Sequence, residues 1–532
     1  MPEASSASES NPTRAPLPAL TPEFIAKHYP DQLRVVHVDL LHRHGERTPV
    51  AHRIPEISPR HWNFCAAGNR LHQDFLRAVD HSTGSAAATP DGGADRGGQW
   101  QNFIFKKDAR SGSSGAVFGV TSAEAQHASD ASQPTDATCG FGQLTDTGRH
   151  SMAALGAHMR ALYVDALRFL PDTLQTSSTL YLRTTSYTRT FESLQHTLGG
   201  LYPDLPSASP LLRVHVRPSD RDNLFPDFSC KGMVRQFIKL NAQNLERRGD
   251  DYQRLYQDML AVPSLRAFFG TEFKPGKARV AISVMDVVAP MRAHGVALPD
   301  GVSDDLIARV TRMAAVEYLQ SAWQSPALAR MQIGRLVHEL AGNVVDAVQA
   351  DRAVAAASQA RLSIYSGHDT TLAPLLAVFG HDAAQPVPDA PADLAWPAFA
   401  ASMRIELLKD TASPHPTVQP AWEQDAAHPS ADPLSVPFDK RIRPTNVPQS
   451  LYQWSSGRGR LGPTGAVNPR ATRDYYVRVW YNDRTLRLPT CRDPGAHHSQ
   501  LGPSVCTLDG FFKQIARFAA TEKETRGECL AV

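Results

Sequence analysis

The sequence predicts an α/β fold: a three-layer α/β/α core with a mostly parallel central sheet and an inserted helical cap. Three observations carry this. The run Leu33 to Leu41, LRVVHVDLL, is apolar and rich in β-branched residues, which marks a buried strand, and it ends abruptly in a polar loop. Residues 178 to 183 (STLYLR), Phe191 to Leu201 and Leu211 to Val216 then read as strand, helix and strand, the alternation of parallel strands joined by crossover helices. A mostly helical stretch from about 220 to 350 separates these elements from a second set of strands that begins at Leu362.

The remaining elements follow in order. Residues 1–30 lack a basic n-region and an apolar h-region and carry Glu3 and Glu9, so they read as a flexible tail, not as a secretory or mitochondrial signal. The α/β core is assigned to 31–216 and 360–525, with the cap at 217–359. Residues 51 to 140, with Gly and Ser clusters and little periodicity, form a long insertion, and so do the Pro-, Ser-, Ala- and Gly-rich residues 411–470. Thr145 caps a helix whose Met152, Leu155, Met159, Leu162 and Leu167 recur at helical spacing up to Pro171. Leu362 to Ser366, Met403 to Leu408 and Tyr475 to Tyr481 are strands; Thr371 to Phe379 and Leu508 to Ala519 are helices.

Composition narrows the function. The 532 residues are 42% hydrophobic and 20% charged, an ordinary globular balance. Fifty-five Lys plus Arg against 53 Asp plus Glu leave +2, which gives no reason to expect a nucleic-acid partner. No run approaches the roughly 18 to 20 apolar residues that span a bilayer, so no transmembrane segment is expected and a cytoplasmic location follows. Cys65, Cys139, Cys230, Cys491, Cys506 and Cys529 form no CxxC, and reduced thiols are expected, with Cys491 and Cys506 the one pair placed to close a loop.

The chemistry concentrates in Arg43-His44-Gly45-Glu46-Arg47-Thr48-Pro49, directly after the first strand. The carboxyl ends of strands are where α/β sheets bind ligands. Two arginines four residues apart around a histidine can set guanidinium forks on a tetrahedral anion and present an imidazole to its centre. His368 and Asp369, after the strand Leu362 to Ser366, arrive at the same rim and add a second imidazole and a carboxyl group.

RHGERTP at 43–49 together with SGHDTT at 366–371 resembles the histidine acid phosphatase family, within the phosphoglycerate mutase-like histidine phosphatase fold. Phe141 to Gly148, FGQLTDTG, resembles that family's helix-opening segment, and Arg189 matches its third phosphate-binding arginine. The segment before Arg189, RTTSYT, departs from the family's aspartates, which leaves Arg183 as a rival for the role. The block 476–488, YVRVWYNDRTLRL, is most similar to the lysophosphatidic acid phosphatase and phosphoxylose phosphatase branch. The resemblance implies a metal-independent and cofactor-independent acid phosphatase. His44 would form a phosphohistidine, Asp369 would donate the proton, and Arg43, Arg47, Arg189 and His368 would bind phosphate. The implied partner is a small phosphomonoester: lysophosphatidic acid, a sugar phosphate or an inositol phosphate.

Two other readings compete. A catalytically silent phosphate-binding protein could use the same fold. His42 and His44 also form an HxH at a strand end, the beginning of a metal-dependent hydrolase, although the flanking arginines would repel a cation.

Overall fold

The structure is a computed structural model that describes residues 15–70, 103–105, 137–174, 176–203, 212–269, 280–352, 360–380, 382, 395–412 and 473–530. Most of the insertion at 51–140 and nearly all of that at 411–470 lie outside the described residues. The strands are β1 (Leu33–Arg43), β2 (Phe103–Phe105), β3 (Leu180–Thr184), β4 (Leu212–Val216), β5 (Leu362–Gly367), β6 (Ser402–Asp410), β7 (Tyr475–Tyr481), β8 (Arg484–Thr485), β9 (His497–His498) and β10 (Gly502–Thr507). They form one sheet in the order β2-β4-β3-β5-β1-β6-β7-β10-β9, with β8 beside β7.

This sheet is mixed, where a mostly parallel one was expected. β2, β4, β3, β5 and β1 are parallel neighbours, whereas β6, β7, β10 and β9 continue the sheet antiparallel. An apolar run marks a strand but carries no direction, which the connections decide. The β7–β8 hairpin reverses at Asn482, whose φ of 52° is the left-handed conformation that Asn tolerates.

On one face lie α2 (Asp146–Arg160) and α3 (Thr188–Leu201), whose Leu155, Met159, Leu194 and Leu198 pack over Val38, Leu40, Leu182 and Ile364. Gly156 and Gly200 let these two helices touch backbone to backbone, since a Cβ at either would strike a carbonyl of the other helix. Thr145 is the N-cap, accepting from Gly148 N at 3.2 Å.

The cap helices are α4 (Lys231–Arg247), α5 (Gly249–Ala261), α6 (Pro263–Phe269), α7 (Val280–Ala293), α8 (Asp304–Tyr318) and α9 (Gln320–Gln324). Tyr252, Leu255, Val284, Val288 and Val310 of the cap share a core with Ile54, Ile57 and Trp62 from the segment after the first strand. The cap ends earlier than expected. Helix α10 (Pro326–Arg352), read as cap, covers the second sheet face with α11 (Asp369–Gly380) and α12 (Leu508–Ile515), and its Leu336, Leu340 and Val344 share a core with Leu41, Met403 and Ile405. Helix α13 (Glu522–Leu530), unmarked by apolar periodicity, follows α12 and is tied to α4 through Cys230–Cys529.

The expected tail 1–30 is ordered where it is described. Helix α1 (Pro22–His28) is capped by Thr21, and the next residue, Tyr29, is buried with its hydroxyl donating to Glu406 Oε1 at 2.7 Å. Glu406, fully buried on β6, also accepts from Tyr163, from Arg478 Nε at 2.8 Å and from Trp480 Nε1 at 2.9 Å. Burial alone would raise its pKa, but Arg478 and Arg404 and the tyrosine hydroxyls bring it down to about 2.

The cysteines correct another expectation. All six are paired, as Cys65–Cys139, Cys230–Cys529 and Cys491–Cys506, with Cα separations of 5.3, 4.8 and 5.5 Å. Two of these pairs span 74 and 299 residues, and such partners become neighbours only through the tertiary fold. Among the described residues no helix is long and apolar enough to cross a membrane.

Glu406→Gln removes the counter-charge of a buried network, which leaves Arg478 and Arg404 uncompensated. It lowers the free energy of unfolding by about 3 kcal/mol, read from urea denaturation at neutral pH; an unchanged midpoint would show the network to be energetically neutral.

Candidate active site

The ends of β1 and β5 meet at one point: Arg43 pairs with Gly367, and His44 N donates to Gly367 O at 3.1 Å. The RHGERTP loop is then stitched to the segment that opens α2. Arg47 bridges Leu144, Thr48 N donates to Gln143 O at 3.1 Å, Gly142 N to Pro49 O at 2.8 Å, and Thr145 N to Glu46 O at 3.0 Å. Gly45 and Gly148 make the contact possible, because a Cβ on either would collide with the opposing backbone.

This frame gathers the expected residues. Arg43, His44, Arg47 and His368 are each buried to 8% exposure or less. His44 Nδ1 lies 2.8 Å from Gly45 O, which as an acceptor fixes the proton on Nδ1 and leaves Nε2 with its lone pair. Burial first, and then Arg189, Arg43 and Arg47, push the His44 pKa well below its ordinary value, so the ring is neutral. His368 is held neutral in the same way, by burial and Arg189, with its ring centroid 5.6 Å from that of His44.

The three arginines differ in their partners. Arg43 bonds Pro397 O at 2.5 Å and pairs with Asp369 Oδ2 at 2.8 Å, its guanidinium 4.3 Å above the Phe399 ring. Arg47 bonds Thr48 O at 2.8 Å and Asp286 Oδ1 at 3.0 Å. Arg189, on the first turn of α3, stacks 4.4 Å from the Tyr187 ring and makes no ion pair among the described residues. Burial and the nearby Arg47 lower its pKa to about 10.

Arg183 is removed as a rival. It lies on β3 with its guanidinium spent on Glu339 at 2.9 Å and Asp222 at 2.9 Å, and it also meets Asn223. Threonines stand where aspartates were expected: Thr185 Oγ1 lies 3.0 Å from His368 Nε2 and 2.7 Å from Thr190 Oγ1, so the RTTSYT segment orients the second histidine.

Asp369 is held at both oxygens. Oδ2 meets Arg43 and accepts from Trp396 Nε1 at 3.0 Å, and Oδ1 accepts from Thr370 N at 2.8 Å. Burial works to raise its pKa, but Arg43, Arg47 and His368 with the Trp396 bond outweigh that and keep it below the ordinary aspartate value. His42 is buried, with Nδ1 against Arg43 O at 3.2 Å and its pKa lowered to about 4 by desolvation. Among the described residues no three His, Cys, Asp or Glu side chains form a metal-holding group, so the HxH reading has no third ligand there.

Two contributors gave no sequence signal. Asp286, on cap helix α7, accepts from Val50 N at 3.1 Å and pairs with Arg47 and with Arg53 at 3.6 Å. Trp396 reaches Asp369 from the loop before β6. Neither stands at a fixed spacing from the motifs they serve.

Residues 34–421 match the sequence profile of the histidine phosphatase superfamily, branch 2. The chain belongs to this family. It is 25% identical over 506 residues to a probable acid phosphatase of Schizosaccharomyces pombe, covering 93% of this chain and 94% of that protein. It is 27% identical over 280 residues to human lysophosphatidic acid phosphatase type 6, covering 50% of this chain and 57% of the relative. In fold it is similar to the apo form of Hafnia alvei phytase, with a TM-score of 0.50 at 13% identity over 94% of this chain and 99% of that one. The chain is therefore a phosphatase acting on small-molecule phosphate monoesters.

Asp286 positions Arg47 from the cap, so Asp286→Asn should weaken ground-state phosphate binding, raising KM for p-nitrophenyl phosphate about tenfold with kcat little changed. Asp286→Glu should recover part of the loss. A KM unmoved by Asp286→Asn would show Arg47 to be held by the loop alone.

Proposed function

We propose that His44 is the nucleophile and Asp369 the proton donor of this phosphatase. The carrying observation is the His44 ring: neutral by burial and by three arginines, with Nδ1 engaged by Gly45 O and Nε2 free. In the first step Nε2 forms a bond to phosphorus, the bond from phosphorus to the leaving oxygen breaks, and Asp369 protonates that oxygen. In the second, water attacks phosphorus, the P–N bond breaks, and the Asp369 carboxylate takes the water's proton. Arg43, Arg47, Arg189 and His368 stabilise the equatorial oxygens throughout. The carboxyl group of Asp369, fixed by Arg43 and Trp396 beside the cations, supports hydrolysis over a silent phosphate binder, which would have no need of it.

The same geometry sets the pH dependence. With its pKa depressed, Asp369 is ionised in the free enzyme, so the proton that departs with the leaving group must arrive on the substrate or through acidic medium. A phosphate monoester loses its second proton at about 6. As phosphate draws Arg43 toward itself, the carboxylate loses part of its counter-charge and becomes the better base for that proton. The competent complex is thus populated at acidic pH and lost as pH rises.

Lysophosphatidic acid, sugar phosphates and inositol phosphates are the candidate substrates, the first standing in the name of the human relative. We infer an oxidising compartment as the place of action, supported by three disulfides of ordinary Cα separation. That inference replaces the cytoplasmic location expected from the N-terminal residues.

Activity on an alkyl phosphate, whose leaving oxygen needs the proton, should be highest in acid and fall about tenfold per pH unit above roughly 6. His44→Ala should abolish it. Asp369→Asn should cost roughly 10²- to 10⁴-fold with an alkyl phosphate and much less with p-nitrophenyl phosphate, whose leaving group needs no proton. Equal losses on both substrates would contradict the proton-donor role.

A further inference from the structure

The walls of the site differ in kind from its floor. The floor is cationic and buried, but the side beside His368 is aromatic: the Tyr187 ring lies 5.0 Å and the Phe225 ring 5.1 Å from the imidazole, both edge-on. Phe225 is 5.9 Å from Tyr187 and 5.9 Å from Phe228, so the three rings make one continuous surface. It opens to solvent, for Tyr187 is 42% and Phe228 45% exposed, two of the few large hydrophobic side chains that the described residues leave so uncovered. A fourth aromatic side chain, Trp396, bonds Asp369 at 3.0 Å.

Exposed aromatic rings gathered at a site's mouth cost free energy unless something apolar covers them. Here the position identifies what that is. The leaving oxygen must meet Asp369, so the group attached to it lies next to His368 and Trp396, against these rings. Arg53, an exposed arginine beside the floor, is paired with Asp286 at 3.6 Å.

We propose that Tyr187, Phe225, Phe228 and Trp396 form an apolar leaving-group subsite, which selects monophosphates of an alcohol bearing a hydrocarbon chain or ring and disfavours polyphosphorylated polyols. This rests on the phosphatase reading above. Contact with the wall is realised in both the ground and transition states, so it appears in kcat/KM.

The test is a series of phosphates whose leaving alcohols are close in acidity: methyl, octyl and benzyl phosphate, with inositol hexakisphosphate alongside, on wild type and on the Phe225→Ser/Phe228→Ser double variant. The expected kcat/KM rises about tenfold or more from methyl to octyl or benzyl phosphate in the wild type, and inositol hexakisphosphate is the poorest. The octyl and benzyl arms tell a chain from a flat ring. In the double variant the octyl-to-methyl ratio falls to within about twofold. A flat series in the wild type, a ratio unmoved by the double substitution, or preference for inositol hexakisphosphate would overturn the subsite while leaving the phosphatase intact. No turnover of any phosphate would overturn the phosphatase reading and the subsite with it.

Discussion

Three guanidinium groups gathered with two imidazoles at the ends of β1 and β5, most of them buried, are the constraint on which this molecule turns. Buried cations are unfavourable unless compensated, and the protein compensates two of them: Asp369 answers Arg43 and Asp286 answers Arg47. Arg189 has an aromatic face beneath it and no carboxylate among the described residues. Arg189 is thus the guanidinium of the three that a phosphate group is left to answer. Burial first, and then the same arginines, keep His44 and His368 unprotonated, so the groups that would draw a phosphate also favour the neutral imidazole that the proposed mechanism needs.

Holding such a cluster together requires a rigid frame. The strand ends of β1 and β5 deliver His44 and His368 in register, the paired glycines Gly45 and Gly148 press the loop onto α2, and Ser193 of α3 accepts from Gly45 N at 3.2 Å. The second buried arginine cluster is purely architectural. Arg183 and Arg217 converge on Glu339 of α10, which ties the parallel half of the sheet to the helix that covers it. The two clusters look alike in composition and differ in compensation, and that difference separates a binding site from a structural knot.

What could be read in the sequence was what the chemistry requires locally. Arg43, His44 and Arg47 had to follow a strand within one loop, and His368 and Asp369 had to follow another, so the local pattern pointed to them. Arg183 and Arg189 could not be ranked, because their roles depend on Glu339 and Asp222, far away in the chain. Asp286 and Trp396 reach the site from the cap and from a loop, at positions that only the folded arrangement relates to it. The antiparallel half of the sheet and the cysteine pairs were hidden for the same reason. Both are decided by which distant segments meet, and apolar periodicity describes only how one segment meets its surroundings.

In the proposed reaction phosphate passes covalently through Nε2 of His44. The most direct measurement is rapid mixing with p-nitrophenyl phosphate at acidic pH, a quench into base, where phosphohistidine survives, and peptide mapping by mass spectrometry. Phosphate on the peptide containing His44, absent in His44→Ala and labile in acid, is the predicted result. Turnover in the wild type with phosphate found on another residue, or with full activity in His44→Ala, would contradict it.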